Sequence, residues 1–354
     1  MECTSLPVDL VEDILSRIPV KSVARLRSTS KQWKALLKSR SFAKKHSANA
    51  PKEKSLIIML MDLRVYLVSV DLRRIHDNKV DPSFKVGAQF YLKDPLSNSS
   101  SQVDIRNIFH CDGSLLCTTK DRRLVLWNPC SGDTKWIKPR DSYKESDYYA
   151  LGYNDKNSSC KQYKILRVDR QDILPIKNEY EIYDFTSNSW RDIGVATDWF
   201  LPRYRRGISR GLKPFENASL SVVGEEQLCL LGTGLKFWIM GHPGLSSFQV
   251  WVGTRTGSAM SWSKSLLVKR AYKHYKFSDG MSFLADEQNQ VVMYMSPDNI
   301  LHIVSETKHI RDDNHVGDST CISSCSVLLN YAPSLAQIQQ GCLPGGNKRK
   351  APSM

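Results

Sequence analysis

The chain of 354 residues is long enough for two domains, and its 41% of hydrophobic residues excludes an intrinsically disordered composition. Its formal net charge of +14 favours an acidic partner, a nucleic acid or an anionic surface, but does not indicate a fold. No run of about 18 apolar residues is present, and the N-terminus lacks a basic segment followed by an apolar one. We therefore expect neither a membrane helix nor a signal peptide, and a location in the nucleus, the cytoplasm or both.

Residues 6–18 carry the pattern of an amphipathic helix. Apolar residues recur there at the spacing of one helical face, and they are Leu10, Val11, Ile14, Leu15 and Ile18. Pro7 suits the first turn, where a missing N–H removes no hydrogen bond, and Asp9 favours the positive end of the helix dipole. Pro19 predicts the end of the helix, because the residue before a proline is disfavoured in the α region.

Two shorter helices are predicted after this one, which makes three helices in residues 1–46. The second covers residues 21–27, and the third begins near Ser28 or Ser30, since serine is a favourable N-cap. The apolar residues that these two helices would bury are Val23, Leu26, Trp33, Leu36 and Leu37. Domains of about 40 residues usually need a metal, disulfides or a partner, and we expect a partner here.

Metal, disulfide and cofactor sites are not expected. The nine cysteines are scattered, and an odd number in a reducing compartment indicates free thiols. The closest pairs, Cys111/Cys117 and Cys321/Cys325, lack the second pair that a zinc site needs. We therefore interpret His110, beside Cys111, as part of a strand. No catalytic constellation and no phosphate-binding loop is recognisable, so the sequence predicts no enzymatic activity.

The rest of the chain is predicted to be rich in β-structure. Residues 47–54 are small and polar with one proline, and we interpret them as a linker. From residue 55 to about residue 312, apolar runs of period two alternate with polar turns. Many short strands with frequent turns are typical of a sandwich, a barrel or a propeller. Residues 313–354 form a C-terminal segment, and its tail from residue 341 is predicted to be disordered.

A loose internal repeat favours a propeller, with a β-sandwich as the alternative. Residues 124–136 contain a strand, a polar turn and a final tryptophan, and residues 180–190 repeat that plan. The two tryptophans are 54 positions apart, which is compatible with kelch-type blades of about 50 residues. Residues 248–252 with Trp262 form a third, looser copy.

The N-terminal residues combine a Leu-Pro start, a proline after the first helix and a late tryptophan at a specific spacing. The residues of this pattern are Leu6, Pro7, Leu10, Ile14, Leu15, Ile18, Pro19, Val20, Lys21, Ser22, Arg25, Arg27, Ser30, Lys31, Gln32, Trp33, Leu36 and Leu37. Together they resemble the F-box. The resemblance implies binding to a Skp-type adaptor and, through the adaptor, to the cullin and RING subunits of a ubiquitin ligase.

The resemblance also implies a helix-packing interface with the adaptor. The residues expected in it are Leu6, Pro7, Leu10, Ile14, Leu15, Ile18, Pro19, Val20, Val23 and Leu26. Trp33, Leu36 and Leu37 are expected in the core of the module, and the alternative for the first set is that it too forms only that core. Residues 1–54 contain 12 Lys and Arg against five Asp and Glu. This charge would steer the encounter with adaptors of the family, which are acidic.

Several motifs between residue 56 and about residue 310 are similar to the plant F-box-associated domain. They span residues 108–113, 126–129, 150–153, 163–166, 180–184, 189–190 and 262–264. The resemblance implies a kelch-like or propeller fold that binds a target protein for ubiquitination and proteasomal degradation. The chain itself would be non-catalytic and would supply proximity to the ligase.

One segment departs from the family pattern. In the family, the element matching residues 205–207 leads into further strands, but here Gly207 reaches Pro214 in seven residues. This gap is too short for two strands of typical length, so strands are predicted to be missing near residues 207–215. Next to it, four residues are candidates for binding an acidic or phosphorylated target through arginines, with a solvated loop as the alternative. They are Arg203, Tyr204, Arg205 and Arg206, and residues 143–149 form a second candidate loop.

Three alternatives to a ligase receptor remain at this level. A basic nuclear protein that binds nucleic acid would explain the charge and the Lys348–Lys350 cluster. It would not explain the Leu-Pro helix pattern, and the sequence contains no recognisable module for nucleic-acid binding. A propeller enzyme would need a deep pocket with clustered titratable groups. A divergent duplicate that binds the adaptor without a target would explain the short segment after Gly207.

Overall fold

A computed structural model gives the fold of the chain. It describes residues 6–26, 29–37, 39–51, 56–72, 83–95, 102–139, 143–144, 147–154, 162–171, 177–196, 217–223, 227–233, 247–256, 259–269, 282–296, 300–306, 308–312, 327–335 and 338. Within these residues, four α-helices precede twenty β-strands. The helices form an N-terminal helical module, and the strands form the sheet domain that follows it.

The helical module contains the three predicted helices and a fourth. Its helices are α1 (Val8–Ser16), α2 (Val20–Leu26), α3 (Lys31–Leu37) and α4 (Arg40–Asn49). Ser30 is the N-cap of α3, because its Oγ accepts a hydrogen bond of 3.1 Å from the main-chain N–H of Trp33. Ser39 caps α4 in the same way, through the N–H of Phe42.

The connection between the two parts is shorter than the linker predicted over residues 47–54. The structure places residues 47–49 in α4 instead. Two contacts with the first helix explain this extension: Nε2 of the buried His46 lies 3.0 Å from the carbonyl oxygen of Ile18, and Asn49 Nδ2 donates a hydrogen bond of 3.1 Å to Ser16 Oγ. The helix therefore continues past small polar residues that favour a loop by composition.

The strands form five antiparallel sheets of four strands each, which we call blades 1 to 5. Blade 1 contains β1 (Leu56–Met61), β2 (Arg64–Asp71), β3 (Ser83–Phe90) and β20 (Val327–Tyr331). Blade 2 contains β4 (Ile105–Cys111), β5 (Ser114–Thr119), β6 (Leu124–Trp127) and β7 (Thr134–Ile137). Blade 3 contains β8 (Tyr148–Asn154), β9 (Gln162–Gln171), β10 (Lys177–Asp184) and β11 (Ser189–Ala196). Blade 4 contains β12 (Asn217–Val223), β13 (Gln227–Thr233), β14 (Ser247–Thr256) and β15 (Ala259–Lys269), and blade 5 contains β16 (Phe283–Asp286), β17 (Val291–Met295), β18 (Leu301–Val304) and β19 (His309–Asp312).

This arrangement confirms the predicted propeller, and the β-sandwich alternative is wrong. Two sheets packed face to face would pair their strands in two large sheets, whereas here each blade is a separate four-stranded meander. The three repeated tryptophans occupy equivalent places, because Trp136, Trp190 and Trp262 all lie on the outermost strand of their blades. The repeat read from the sequence is therefore the blade repeat.

The ring closes through the last described strand, and among the described strands its weakest junction lies between blades 3 and 4. β20 pairs antiparallel with β1, so the end of the chain completes blade 1. The innermost strands β4 and β8 lie against each other, as do β12 and β16, and β20 contacts both β4 and β16. Among the described strands, β8 and β12 are the neighbouring innermost strands with the least contact. The chain between these two blades, from β11 to β12, contains residues 207–215 and lies outside the described residues.

Strand β1 shows why this ring is stable. All six of its side chains are buried, because both faces of the strand are covered by neighbouring blades. Leu56, Ile58 and Leu60 pack in the cluster shared with blade 2, and the alternate residues Ile57 and Met59 pack in the cluster shared with blade 5. A continuous apolar run of period two therefore holds two interfaces of the ring at once.

Candidate functional site

The helical module exposes a row of apolar side chains on its first helix and the turn before it. Leu6 is 59% exposed, Val8 69%, Leu10 49% and Ile14 54%. Leu10 and Ile14 are four residues apart in α1 and therefore lie along one face of the helix, which Leu6 precedes. Exposed apolar residues that cluster in this way mark an interaction surface more often than isolated ones do. We call these four residues the α1 apolar row.

The other predicted contact residues divide between the core of the module and its edge. Leu15, Val20 and Val23 are buried together with Leu37 and Phe42, while Ile18 and Leu26 are half-buried against them. The structure therefore places Leu15, Val20 and Val23 in the core of the module, and their contact with an adaptor stays a prediction. Pro7 is exposed beside Leu6, and Pro19 is half-buried at the start of α2.

The residues predicted for the core occupy it. Leu37 is buried, and Trp33 and Leu36 pack against the same cluster from the side. One member of the cluster comes from the far end of the sequence, because Leu335 lies among these residues and is 3% exposed. The sequence contains no local signal for this contact, since a single leucine in a polar segment resembles many others.

Charged side chains occur in α1 itself and elsewhere on the surface of the helical module. Asp13 lies 3.1 Å from Arg17 Nε and 3.4 Å from Lys45 Nζ. The hydrogen bond from Arg17 is the largest cause that holds the pKa of the Asp13 carboxyl below its usual range. Arg25, Lys31 and further cations of the module are exposed, which agrees with the local positive charge of the sequence.

The candidate loop over residues 143–149 lies at the end of blade 3 that points away from the helical module. Strand β9 shows at which end of blade 3 the loop lies. At the start of β9, the hydroxyl of Tyr163 donates a hydrogen bond of 2.6 Å to Asp112 in the β4–β5 turn. That turn packs against Ser334, next to Leu335 of the module core. Asp169 comes six residues after Tyr163, about 20 Å along an extended strand. The loop is therefore on the opposite side of the ring.

A network of buried charges supports this loop. Arg167 is buried, and it donates hydrogen bonds of 2.9 Å to Asp147 Oδ2 and 2.8 Å to Glu181 Oε2. Lys144, which is half-exposed, pairs with Asp169 at 2.7 Å. Burial raises the pKa of the Asp147 carboxyl, although hydrogen bonds from the Lys144 main chain and from Arg167 oppose the shift. Such a network fixes the base of the loop and presents Lys144 at its surface.

The other predicted target-binding residues lie outside the described residues. They are Arg203, Tyr204, Arg205 and Arg206, so their role stays a prediction. His110 lies in β4 as predicted, and its Nε2 accepts a hydrogen bond of 3.0 Å from the main-chain N–H of Gly113. Within the part of the chain that the structure describes, no group of three or more His, Cys, Asp or Glu side chains could hold a metal ion. No helix in that part is long and apolar enough to span a bilayer.

Comparisons with known proteins agree with both parts of the fold. Residues 3–45 match the F-box domain family, and residues 56–213 and 208–338 match the F-box associated beta propeller domain family. The chain belongs to the F-box proteins with an F-box-associated propeller. The helical module is the F-box, and the sheet domain is the F-box-associated propeller. The two domains are typical of substrate-recognition subunits of SCF ubiquitin ligases, which are non-catalytic, and the F-box implies a Skp-type adaptor.

Relatives of similar length are found in Arabidopsis thaliana. One F-box protein of that plant is 50% identical over 378 residues, covering 96% of this chain and 100% of the relative. A second is 45% identical and covers 95% of this chain and 97% of its own length. An F-box/kelch-repeat protein of the same plant is 34% identical, with 96% of this chain and 100% of the relative covered.

The alignment with the first relative contains positions that this chain lacks. It extends over 378 positions, while 96% of the 354 residues is about 340, so about 38 positions have no residue of this chain. The propeller family matches in two segments that meet at residues 208–213. Both observations agree with strands missing near residues 207–215, which stays a prediction.

Proposed function

We propose that this chain is the substrate receptor of an SCF-type ubiquitin ligase. Its F-box binds the Skp adaptor, which links it to the cullin and RING subunits, and its propeller binds a target protein for ubiquitination and proteasomal degradation. The chain has no catalytic role and holds the target close to the ligase. The observation that carries the proposal is the α1 apolar row, which stays exposed on a module whose other large apolar residues are buried or half-buried.

Two features support the adaptor interface. The four side chains of the row are exposed by about half or more, whereas Leu15 and Val23 behind them are 6% and 0% exposed. The module therefore has a complete core without the row, and the row is free to be buried by a partner. Hot-spot residues of interfaces are such anchors, which lose contact with water only in the complex.

The target is proposed to bind on the side of the ring away from the F-box. The F-box occupies the side of the β4–β5 turn, so the opposite side, with the loop over residues 143–149, faces outward. Arg203, Tyr204, Arg205 and Arg206 are proposed to contribute to the same function, because arginines bind acidic or phosphorylated groups through two hydrogen bonds. The nucleus and the cytoplasm are the proposed locations.

The experiment is a binding titration of the full chain with a purified Skp-type adaptor by calorimetry. The test variant is Leu10→Ala/Ile14→Ala, and the matched control is Val86→Ala/Ile193→Ala, which removes two exposed apolar residues of the propeller. We expect the test variant to bind at least ~30-fold more weakly, equivalent to about 2 kcal/mol, and the control to bind like the wild type. Equal affinities for all three proteins would contradict the proposed interface, and no binding by folded wild type would contradict the proposed function.

A second function is favoured by the weak junction between β8 and β12. A divergent duplicate would keep the adaptor interface but lack a target, because strands missing near residues 207–215 would change the propeller that selects it. Proximity labelling in plant cells distinguishes the two. A receptor would enrich proteins whose abundance rises when the proteasome is inhibited, whereas a duplicate would enrich only the ligase subunits.

A further inference from the structure

The segment after the last strand of the propeller enters the core of the F-box. β20 ends at Tyr331, and four residues later Leu335 is buried among Leu15, Val23 and Phe42 of the F-box. The F-box is small, and a leucine is a large share of the apolar surface that such a module can bury. We call residues 332–335 the strap, because they connect the propeller to the F-box core by a second route besides the chain connection at Pro51.

The strap is attached to blade 2 by a hydrogen bond. Asn128 is buried at the end of β6, and its Nδ2 donates a hydrogen bond of 2.9 Å to the carbonyl oxygen of Ser334. The orientation of its amide is set by the Oδ1 atom, which accepts hydrogen bonds from the main-chain N–H groups of Cys130 at 2.9 Å and Ser131 at 3.1 Å. Exchanging the positions of Oδ1 and Nδ2 would break these bonds, so the amide nitrogen must face the strap.

Close packing against Gly113 fixes the strap from the other side. Gly113 has φ +74°, and a Cβ atom on it would lie 2.4 Å from Ser334 Cβ and 2.7 Å from Ser334 N. Contacts below 3.0 Å do not occur, so the turn and the strap fit only with glycine here. Gly132, in the β6–β7 turn of the same blade, has φ +69° with no atom within 4 Å of such a Cβ. The two glycines therefore differ in the contact and not in the backbone conformation.

The strap also continues the strand that closes the ring. Tyr331 is the last residue of β20 and pairs with Leu56 at the start of β1. Its hydroxyl donates a hydrogen bond of 3.4 Å to the carbonyl oxygen of Gly113. Cys130 packs against the cluster between blades 1 and 2 and also against the F-box core. Ring closure and completion of the F-box core therefore use the same stretch of chain.

We infer that Leu335 is a positioning residue for adaptor binding, and that the F-box reaches its full stability only when β20 has closed the propeller. A chain in which β20 is not paired with β1 would carry an F-box without Leu335 in its core. That F-box would open more often and offer the α1 apolar row in its folded form for less of the time. The affinity for the adaptor thus depends on whether β20 is paired in the propeller. That the F-box binds an adaptor rests on the proposed function, and the link between propeller and F-box rests on the contacts of the strap.

The experiment measures amide hydrogen exchange of the free full chain and, separately, adaptor affinity. The variants are Leu335→Ala with Leu335→Met as the conservative rescue, and Gly113→Ala with Gly132→Ala as the matched control. We expect Leu335→Ala and Gly113→Ala to speed exchange in α1–α4 at least tenfold and to weaken adaptor binding at least tenfold. Exchange in β14 of blade 4, which adjoins neither blade 1 nor blade 2, should not change. Leu335→Met should resemble the wild type, and Gly132→Ala, which shares the positive φ but not the contact with the strap, should have a clearly smaller effect than Gly113→Ala.

Three results would overturn the inference. These are unchanged protection of α1–α4 in Leu335→Ala, an adaptor affinity of that variant within twofold of wild type, or equal effects of Gly113→Ala and Gly132→Ala. If Leu335→Ala also loses protection in β14, the variant has lost stability throughout the chain, and the same comparison is made with the milder Leu335→Val. If the wild type does not bind the adaptor, the proposed function fails, while the exchange data alone still support or overturn the coupling.

Discussion

The hydroxyl of Tyr163 in blade 3 donates a hydrogen bond of 2.6 Å to Asp112 Oδ2 in blade 2. The bond joins neighbouring blades at the side of the ring that carries the F-box. Burial is the main cause that raises the pKa of the Tyr163 hydroxyl, and the charge of Asp112 adds to it. The hydroxyl is therefore protonated at neutral pH and donates this hydrogen bond.

Replacing Tyr163 by phenylalanine removes this donor and leaves the ring in place. We expect Tyr163→Phe to lower the free energy of unfolding by roughly 1.5–3 kcal/mol, because hydrogen bonds to charged groups contribute that much. Urea unfolding followed by tryptophan fluorescence measures the change. Tyr91→Phe is the control, since Tyr91 is 62% exposed, and it should unfold like the wild type. A Tyr163→Phe variant as stable as the control would show that the bond contributes nothing.

The second prediction concerns the buried guanidinium of Arg167. Arg167→Met should lower the free energy of unfolding by about 3–5 kcal/mol, because Asp147 and Glu181 would lose the charge that compensates them in the interior. Thermal unfolding at several pH values is the measurement. Arg191→Met is the matched control, because Arg191 is exposed on β11 of the same blade. The prediction fails if both variants have the same midpoint of unfolding.

The third prediction is a loss of stability in mild acid. Burial lowers the pKa of His110 to about 4, against the opposing charge of Asp112, and its ring faces Tyr331. On acidification the unfolded chain takes up a proton on this histidine near pH 6.5, before the folded chain does. Stability therefore falls as the pH drops from about 6.5 to about 4, by up to ~3 kcal/mol from this residue. Burial lowers the pKa of His46 in the F-box as well, which acts in the same direction.

The measurement is the free energy of unfolding at pH values between 7 and 4, for the wild type and for His110→Asn. Carboxylates contribute to acid unfolding in both proteins, so the difference between the two curves isolates the histidine. We expect the curve of the variant to be flatter over this range. Parallel curves would mean that His110 is protonated equally in the folded and unfolded chains.

The fourth prediction concerns the weak junction between blades 3 and 4, where β8 and β12 have little contact. We expect the positions that this chain lacks to lie near residues 207–215 and to form strands in the 50% identical relative. Grafting that segment of the relative into this chain should raise the midpoint of thermal unfolding by roughly 5 °C or more, since it adds interfaces on both sides. A graft of equal length made of glycine and serine is the control. If both grafts change the midpoint of thermal unfolding equally, this segment does not complete the ring.

The sequence predicts most of the fold wherever the signal is local. The apolar face of residues 6–18 and the N-cap at Ser30 indicate helices without any tertiary information. The motif over residues 108–113 joins two strands, because Asp112 and Gly113 have positive φ angles and form the turn between β4 and β5. An Asp-Gly pair is itself a turn signal, so this boundary was available from the sequence.

The candidate site is predictable only in part, because exposure depends on contacts between distant residues. The sequence places Ile14 and Leu15 in the same apolar pattern, but the fold exposes the first and buries the second. The need for a partner was inferred from the size of the F-box, and the structure shows that Leu335 of the same chain already supplies part of its core. A contact across some 300 residues leaves no periodic signal in either segment.

The pairing of β20 with β1 has a consequence for the gene. The strand that completes blade 1 comes from residues 327–331, after all the other described strands. A stop codon or frameshift before codon 327 would remove it, even though the other nineteen described strands would still be made. We expect late truncations of this kind to behave as full loss-of-function alleles, and the cell to clear their products as misfolded chains.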